Sequence, residues 1–149
     1  MSALKGGEKV LKAIKHIEER VAKGGHVRVG FLEGATYPNG LPVAAVASYN
    51  EFGVPSHNQP PRPFFRTMIA EKSPEWGPEL GQVLKATDYN VDRSLGLMGE
   101  RIQGQLQDSI RDLKTPPLSP VTIARKGFDK PLIDTGHMLA SVGYDVETK

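Results

Sequence analysis

With 149 residues, the chain has the size of one ordinary domain and can bury one real core. Its formal charge of +2 falls short of the concentrated basic face that marks a DNA-binding module. It contains no cysteine, which excludes disulfides and thiolate metal sites and suits a cytosolic origin.

The N-terminus, MSALKGGEKVLKAIKH, has no uninterrupted apolar stretch and does not read as a secretory signal. No apolar run approaches a membrane span, so no membrane partner is expected. From Glu8 to Lys23, Val10, Ile14, Ile17 and Val21 recur at helical spacing, with Leu11 beside them. Lysines and glutamates fill the other face, and Gly24 and Gly25 end the helix. His26 to Leu32 alternates Val27, Val29 and Phe31 against His26, Arg28 and Gly30, the pattern of a half-buried strand.

Tyr37-Pro38-Asn39-Gly40 is a turn signal. A short helix opens at Pro42, with Val43, Val46, Ala47 and Phe52 inward and Gly53 as a left-handed stop. Then comes the densest proline segment of the chain, with Pro55, Pro60, Pro61 and Pro63 around Arg62, followed by Phe64 and Phe65. Proline fixes φ and removes a backbone donor, so this segment is stiff without belonging to a sheet. It reads as a presented contact element formed by Glu51, Phe52, Val54, Pro60, Pro61, Arg62, Pro63 and Phe64. Arg62 in particular offers a fork for a neighbouring carboxylate or carbonyl.

Phe64 to Lys72 predicts one or two helical turns, and Ser73-Pro74 predicts a fresh helix over Glu75 to Lys85. Asn90 caps the longest helix, Val91 to Leu113, whose stripe is Val91, Leu95, Met98, Ile102, Leu106, Ile110 and Leu113. Gly96, Gly99 and Gly104 interrupt it at about 1 kcal/mol each, which marks either neutral drift or close approach of a neighbouring backbone at Gly96 and Gly99. Thr115-Pro116-Pro117 breaks that helix, VTIARKG forms a short one, and Asp134 caps another. Val142, Tyr144 and Val146 alternate as a final strand. The pattern predicts a single α+β domain over 1–149, with a small, mostly antiparallel sheet against a long amphipathic helix. The sheet is expected to use part of Gly34 to Pro38 as well, or to borrow strands from neighbours.

Asp134 and His137 lie three apart in DTGH, where a carboxylate could orient an imidazole, and a helix cap explains Asp134 more simply than a catalytic role. The four histidines have no metal-binding spacing, and no serine sits in a nucleophile elbow, so no metal or cofactor is expected. The lysines of the first helix are interleaved with Glu8, Glu18 and Glu19, which favours a solvated face over a phosphate contact. Trp76, beside Gly77 and Pro78, reads as a core or interface anchor.

Two blocks carry a resemblance. NEFGVPSHNQPPRPFFR, from Asn50 to Arg66, resembles the "NEFG…IPPRPF" block of small virion-morphogenesis proteins of long-tailed phages and prophages. KPLIDTGHMLASVGYDVE, from Lys130 to Glu147, resembles their C-terminal block, and the long helix with LSPVTIARKG lies between the two. The chain departs from the pattern at Gln59, where that family more often has an apolar residue. The resemblance implies a structural virion protein rather than an enzyme, a tail-completion or head–tail joining (neck) subunit. It implies a ring, often six-fold, at the head-proximal end of the tail, assembled in the host cytoplasm. The partners would be further copies of the chain, a connector or adaptor protein, and tail-terminator or tail-tube proteins, with DNA possible in the channel. Two alternatives stand beside it: a small DNA-binding accessory protein, and a hydrolase using Asp134 and His137.

Overall fold

The computed structural model describes residues 6–38, 40–112 and 137–148. The fold is α+β, with helices packed on a two-stranded antiparallel sheet. Helix α1 (Gly7–Val21) has the predicted apolar stripe, yet none of its residues is buried. Val10, Leu11 and Ile14 are 57%, 68% and 54% exposed. The helix is tied to the body by polar contacts instead. His16 Nε2 lies 3.1 Å from the Asp88 carboxylate, and Arg20 Nε donates to the Asp88 carbonyl at 2.6 Å.

Strand β1 (Gly25–Phe31) pairs with β2 (Val142–Thr148), placing Val27 opposite Val146, Val29 opposite Tyr144 and Phe31 opposite Val142. The alternate register carries charge, pairing Arg28 with Asp145 and His26 with Glu147. The opposite charges of Arg28 and Asp145, facing one another across the strand pair, reinforce the register. Gly34 to Pro38 does not join this sheet. It makes only an isolated bridge, Thr36 to Pro42, because the Tyr37–Gly40 turn folds the chain back on itself.

Helix α2 (Val43–Phe52) buries Val43, Ala47 and Glu51, spaced four residues apart along one face. Phe52, expected inside, is 62% exposed because that face ends on Glu51. Gly53 stops the helix at φ 76 and ψ 172, a positive φ but not the left-handed helical geometry expected. Its space is as restricted as its backbone: a Cβ there would lie 2.7 Å from the Gln59 carbonyl and 2.8 Å from Pro61 N.

Helix α3 runs unbroken from Phe64 to Ala86, so the expected break at Ser73-Pro74 does not occur. Pro74 and Pro78 both sit on its solvent side, where the carbonyls left without donors can be hydrated. The opposite side packs Met68, Trp76, Leu80 and Val83 against the core, and that packing carries the helix through both prolines. Trp76 also donates from Nε1 to Gln105 Oε1 at 2.8 Å, as a core-side anchor.

Helix α4 (Val91–Asp112) is the spine of the fold and packs on α3 and on both strands. Asn90 Oδ1 accepts from the Arg93 backbone N–H at 3.0 Å, the predicted cap. Leu95, Met98, Ile102, Leu106 and Ile110 are all buried, as the stripe requires. Of the glycines, Gly99 marks a close approach: a Cβ there would sit 2.5 Å from the Tyr144 ring and 2.9 Å from Val27 Cγ2. Gly96 and Gly104 face open space. The short helix α5 (His137–Ala140) leads into β2 and buries Met138. The predicted break at Pro116-Pro117, the VTIARKG helix and the Asp134 cap lie outside the described residues.

Candidate functional site

The proline segment is a folded loop with two anchors. At its tip, Val54 and Gln59 exchange backbone hydrogen bonds of 2.9 and 3.1 Å. Between them Pro55–His57 makes a single 3-10 turn, and Asn58 takes φ 54 to close it. Asparagine is among the few side-chain-bearing residues that tolerate this region.

The first anchor is the C-terminal end of α2, whose last carbonyls lack partners within the helix. Gly53 N donates to Tyr49 O at 2.8 Å, Arg62 N to Asn50 O at 2.6 Å, and Arg66 Nη2 to Glu51 O at 3.1 Å. The second anchor is the N-terminus of α3. Its formal cap position is Pro63, which has no side-chain acceptor. The Glu51 carboxylate supplies one from the neighbouring helix. Its oxygens accept from Phe65 N at 2.9 Å, Arg66 N at 3.0 Å and Arg66 Nε at 2.9 Å. A carboxylate at a helix N-terminus is also favoured by the helix dipole.

Glu51 and Arg66 therefore form a clamp across the loop, each capping the other's helix. Glu51 is 5% exposed, whereas the Arg66 side chain is largely exposed. The Arg66 guanidinium also lies 4.8 Å from the centre of the Phe52 ring, a cation–π contact at the surface. Phe64 is buried and meets Phe31 edge-on with ring centres 6.1 Å apart.

These positions sort the residues expected to make the contact. Glu51 and Phe64 are buried and engaged inside the chain, where they hold the loop. Phe52, Pro60 and Pro61 are exposed, and Val54, Arg62 and Pro63 are half-buried. The fork expected of Arg62 belongs to Arg66, four residues on, because Glu51 points at the start of α3. Arg62 contributes its backbone N–H instead. Its Nε is buried without a hydrogen-bond partner, and that burial pushes the guanidinium pKa down from its usual value. Beside the clamp lies a shallow apolar pocket of about 260 Å³, lined by Phe31, Ala44, Ala47, Phe52, Phe65 and Arg66.

Of the Asp134–His137 pair, His137 is described. His137 Nε2 donates to the Thr36 carbonyl at 2.6 Å, and its ring packs on Tyr37 with centres 5.1 Å apart. That nitrogen is occupied as a donor; Asp134 lies outside the described residues. Among the described residues no group of histidines and carboxylates is arranged to hold a metal ion. No helix among them is long and apolar enough to cross a membrane. Sequence reasoning missed Glu51 as an anchor, although a signal was present: it takes the third place in the inward row Val43, Ala47, Glu51. No family model, no curated protein and no solved structure matches the chain.

Proposed function

We propose that this chain is a structural subunit of a tailed-phage virion, a tail-completion or head–tail joining protein that contacts further copies of itself and adjoining neck or tail proteins. The observation that carries the reading is the Glu51–Arg66 clamp. It fixes both ends of a short proline loop and turns Phe52, Pro60 and Pro61 outward on a stiff base. A surface ordered before binding loses little entropy on contact, which suits assembly from many identical joints. The likeness of Asn50 to Arg66 and of Lys130 to Glu147 to virion-morphogenesis proteins supplies the place, at the head-proximal end of the tail. A head-to-tail contact repeated around an axis closes into a ring, and the resemblance points to six-fold symmetry. Connector or adaptor proteins on one side and tail-terminator or tail-tube proteins on the other are the proposed neighbours.

The test is placement and requirement together. Imaging of labelled chain in intact virions should put it at the neck. Phe52→Asp combined with Pro60→Ser should leave the fold intact and stop particles from being completed. Normal particles from that variant would remove the loop from the contact, and absence of the chain from virions would remove the whole reading.

A further inference from the structure

Two apolar features stand out among the described residues, a ridge and a groove. The ridge is the stripe of α1, with Val10, Leu11 and Ile14 more than half exposed and no side chain of the helix buried. The groove, of about 410 Å³, runs between β1 and α3 above α4, with Val29, Ile69, Trp76, Leu80 and Leu95 among its walls and floor. Its lining along α3 runs from Phe65 to Leu80, about 22 Å at the helical rise. The ridge from Val10 to Val21 spans about 16 Å and fits within that length. Gly77 lies in the groove wall with nothing within 4 Å of where its Cβ would be, so a second helix can approach α3 closely there.

The chain's own α1 does not occupy its groove. His16 and Arg20 hold it on the α3–α4 turn through Asp88, at 3.1 and 2.6 Å. Asp88 and Tyr89 take φ 54 and φ 61, so this turn presents both the carboxylate and the carbonyl of Asp88 to α1. Non-glycine residues hold such a backbone only where the surroundings require it.

We propose that α1 of one copy lays its apolar stripe in the β1–α3–α4 groove of a second copy. The area favours a second copy in a closed ring over an isolated pair. The three exposed side chains of the stripe, Val10, Leu11 and Ile14, offer on the order of 300 Å² of apolar surface. A stable interface buries roughly 800 Å² per partner. One ridge-in-groove contact is therefore weak alone. In a ring every subunit makes it twice, once with its ridge and once with its groove, and no ridge is left bare. The inference rests on the ring reading above and names the surfaces that would form it.

Because the chain has no cysteine, introduced thiols report on one contact only. Ile14→Cys and Ile69→Cys, made as separate variants, mixed and oxidised, should give a covalent heterodimer. The double variant should give a ladder of multimers. Ile14→Cys mixed with Ser48→Cys should give neither product above background. A double variant that cross-links only within one chain would mean that α1 folds into its own groove, and no cross-link at all would mean that another partner fills it; either overturns the proposal. Leu11→Glu with Ile14→Glu should weaken self-association in sedimentation by at least tenfold while leaving circular dichroism unchanged, since both side chains are more than half exposed in the chain itself. Cross-links in purified protein that is absent from virions would leave this contact standing and refute the neck reading. Virion placement without cross-links would refute this contact alone.

Discussion

Glu51→Ala tests the clamp most directly. The substitution removes the acceptor for Phe65 N–H, Arg66 N–H and Arg66 Nε at once. Loss of a helix N-terminal cap costs about 0.5–2 kcal/mol. The ion pair adds little, about 0–1 kcal/mol, because the Arg66 side chain is 58% exposed and can be hydrated when its partner is gone. The sum is roughly 0.5–3 kcal/mol, most of it from the backbone groups at the start of α3. Arg66→Met should cost less than Glu51→Ala, since Glu51 keeps the Phe65 and Arg66 amides and the losses are the ion pair and the Arg66 bond to the Glu51 carbonyl. The asymmetry between the partners is therefore the sharper expectation. Urea unfolding with linear extrapolation measures both variants, and the double variant completes the cycle. If Arg66→Met cost as much as Glu51→Ala, the carboxylate would be serving the guanidinium rather than the helix, and the capping account would be wrong.

The other expectations concern the spine and the glycines. Leu106→Ala, at a fully buried position of α4, should cost about 2–5 kcal/mol in a denaturant melt, while Gln103→Ala should cost well under about 1 kcal/mol. Gly99→Ala should destabilise because its methyl would overlap the Tyr144 ring, whereas Gly96→Ala, facing open space, should raise the melting temperature by an amount worth up to about 1 kcal/mol. Gly53→Ala should cost more than a propensity difference alone, since it meets both a positive φ and the backbone of Gln59 and Pro61; thermal unfolding followed by circular dichroism would show it. Pro78→Ala should stabilise α3, restoring a donor on its solvent side, and an unchanged or lower melting temperature would mean that Pro78 is needed where it stands.

Long, strongly periodic elements were legible in the sequence. The α4 stripe spans so many turns that no other register buries Leu95, Met98, Ile102, Leu106 and Ile110 together, and the Asn90 cap followed from local chemistry. The alternation in β1 and β2 was equally plain. What failed was inference from local signals where packing decides. Ser73-Pro74 is a fair start signal, but the core contacts of Met68, Trp76 and Leu80 hold one helix across it. The α1 stripe was read correctly as apolar, but periodicity does not say what covers a stripe, and Val10, Leu11 and Ile14 stand more than half exposed. At the candidate site the loop was legible and its anchor was not. Arg62 stood out among prolines, while Glu51 and Arg66, fifteen residues apart, became partners only once α2 and α3 were placed side by side.

That difference changes what the loop's stiffness rests on. Proline alone restricts the backbone but does not fix the direction in which a segment projects, since each junction with its neighbours keeps its own freedom. Here the junctions are fixed by groups outside the proline run: carbonyls of Tyr49, Asn50 and Glu51 on one side, amides of Phe65 and Arg66 on the other. One residue, Glu51, serves both, through its carbonyl and its carboxylate. The exposed Phe52 ring sits under the Arg66 guanidinium that completes this arrangement, so the outward surface and the internal clamp share a side chain. Loosening the clamp therefore reaches the surface without touching a surface residue. A Glu51→Gln variant that stayed folded, yet presented Phe52 in more than one orientation, would separate the stability of the loop from its aim. The aim is what a subunit needs when the same joint must close on itself around a ring.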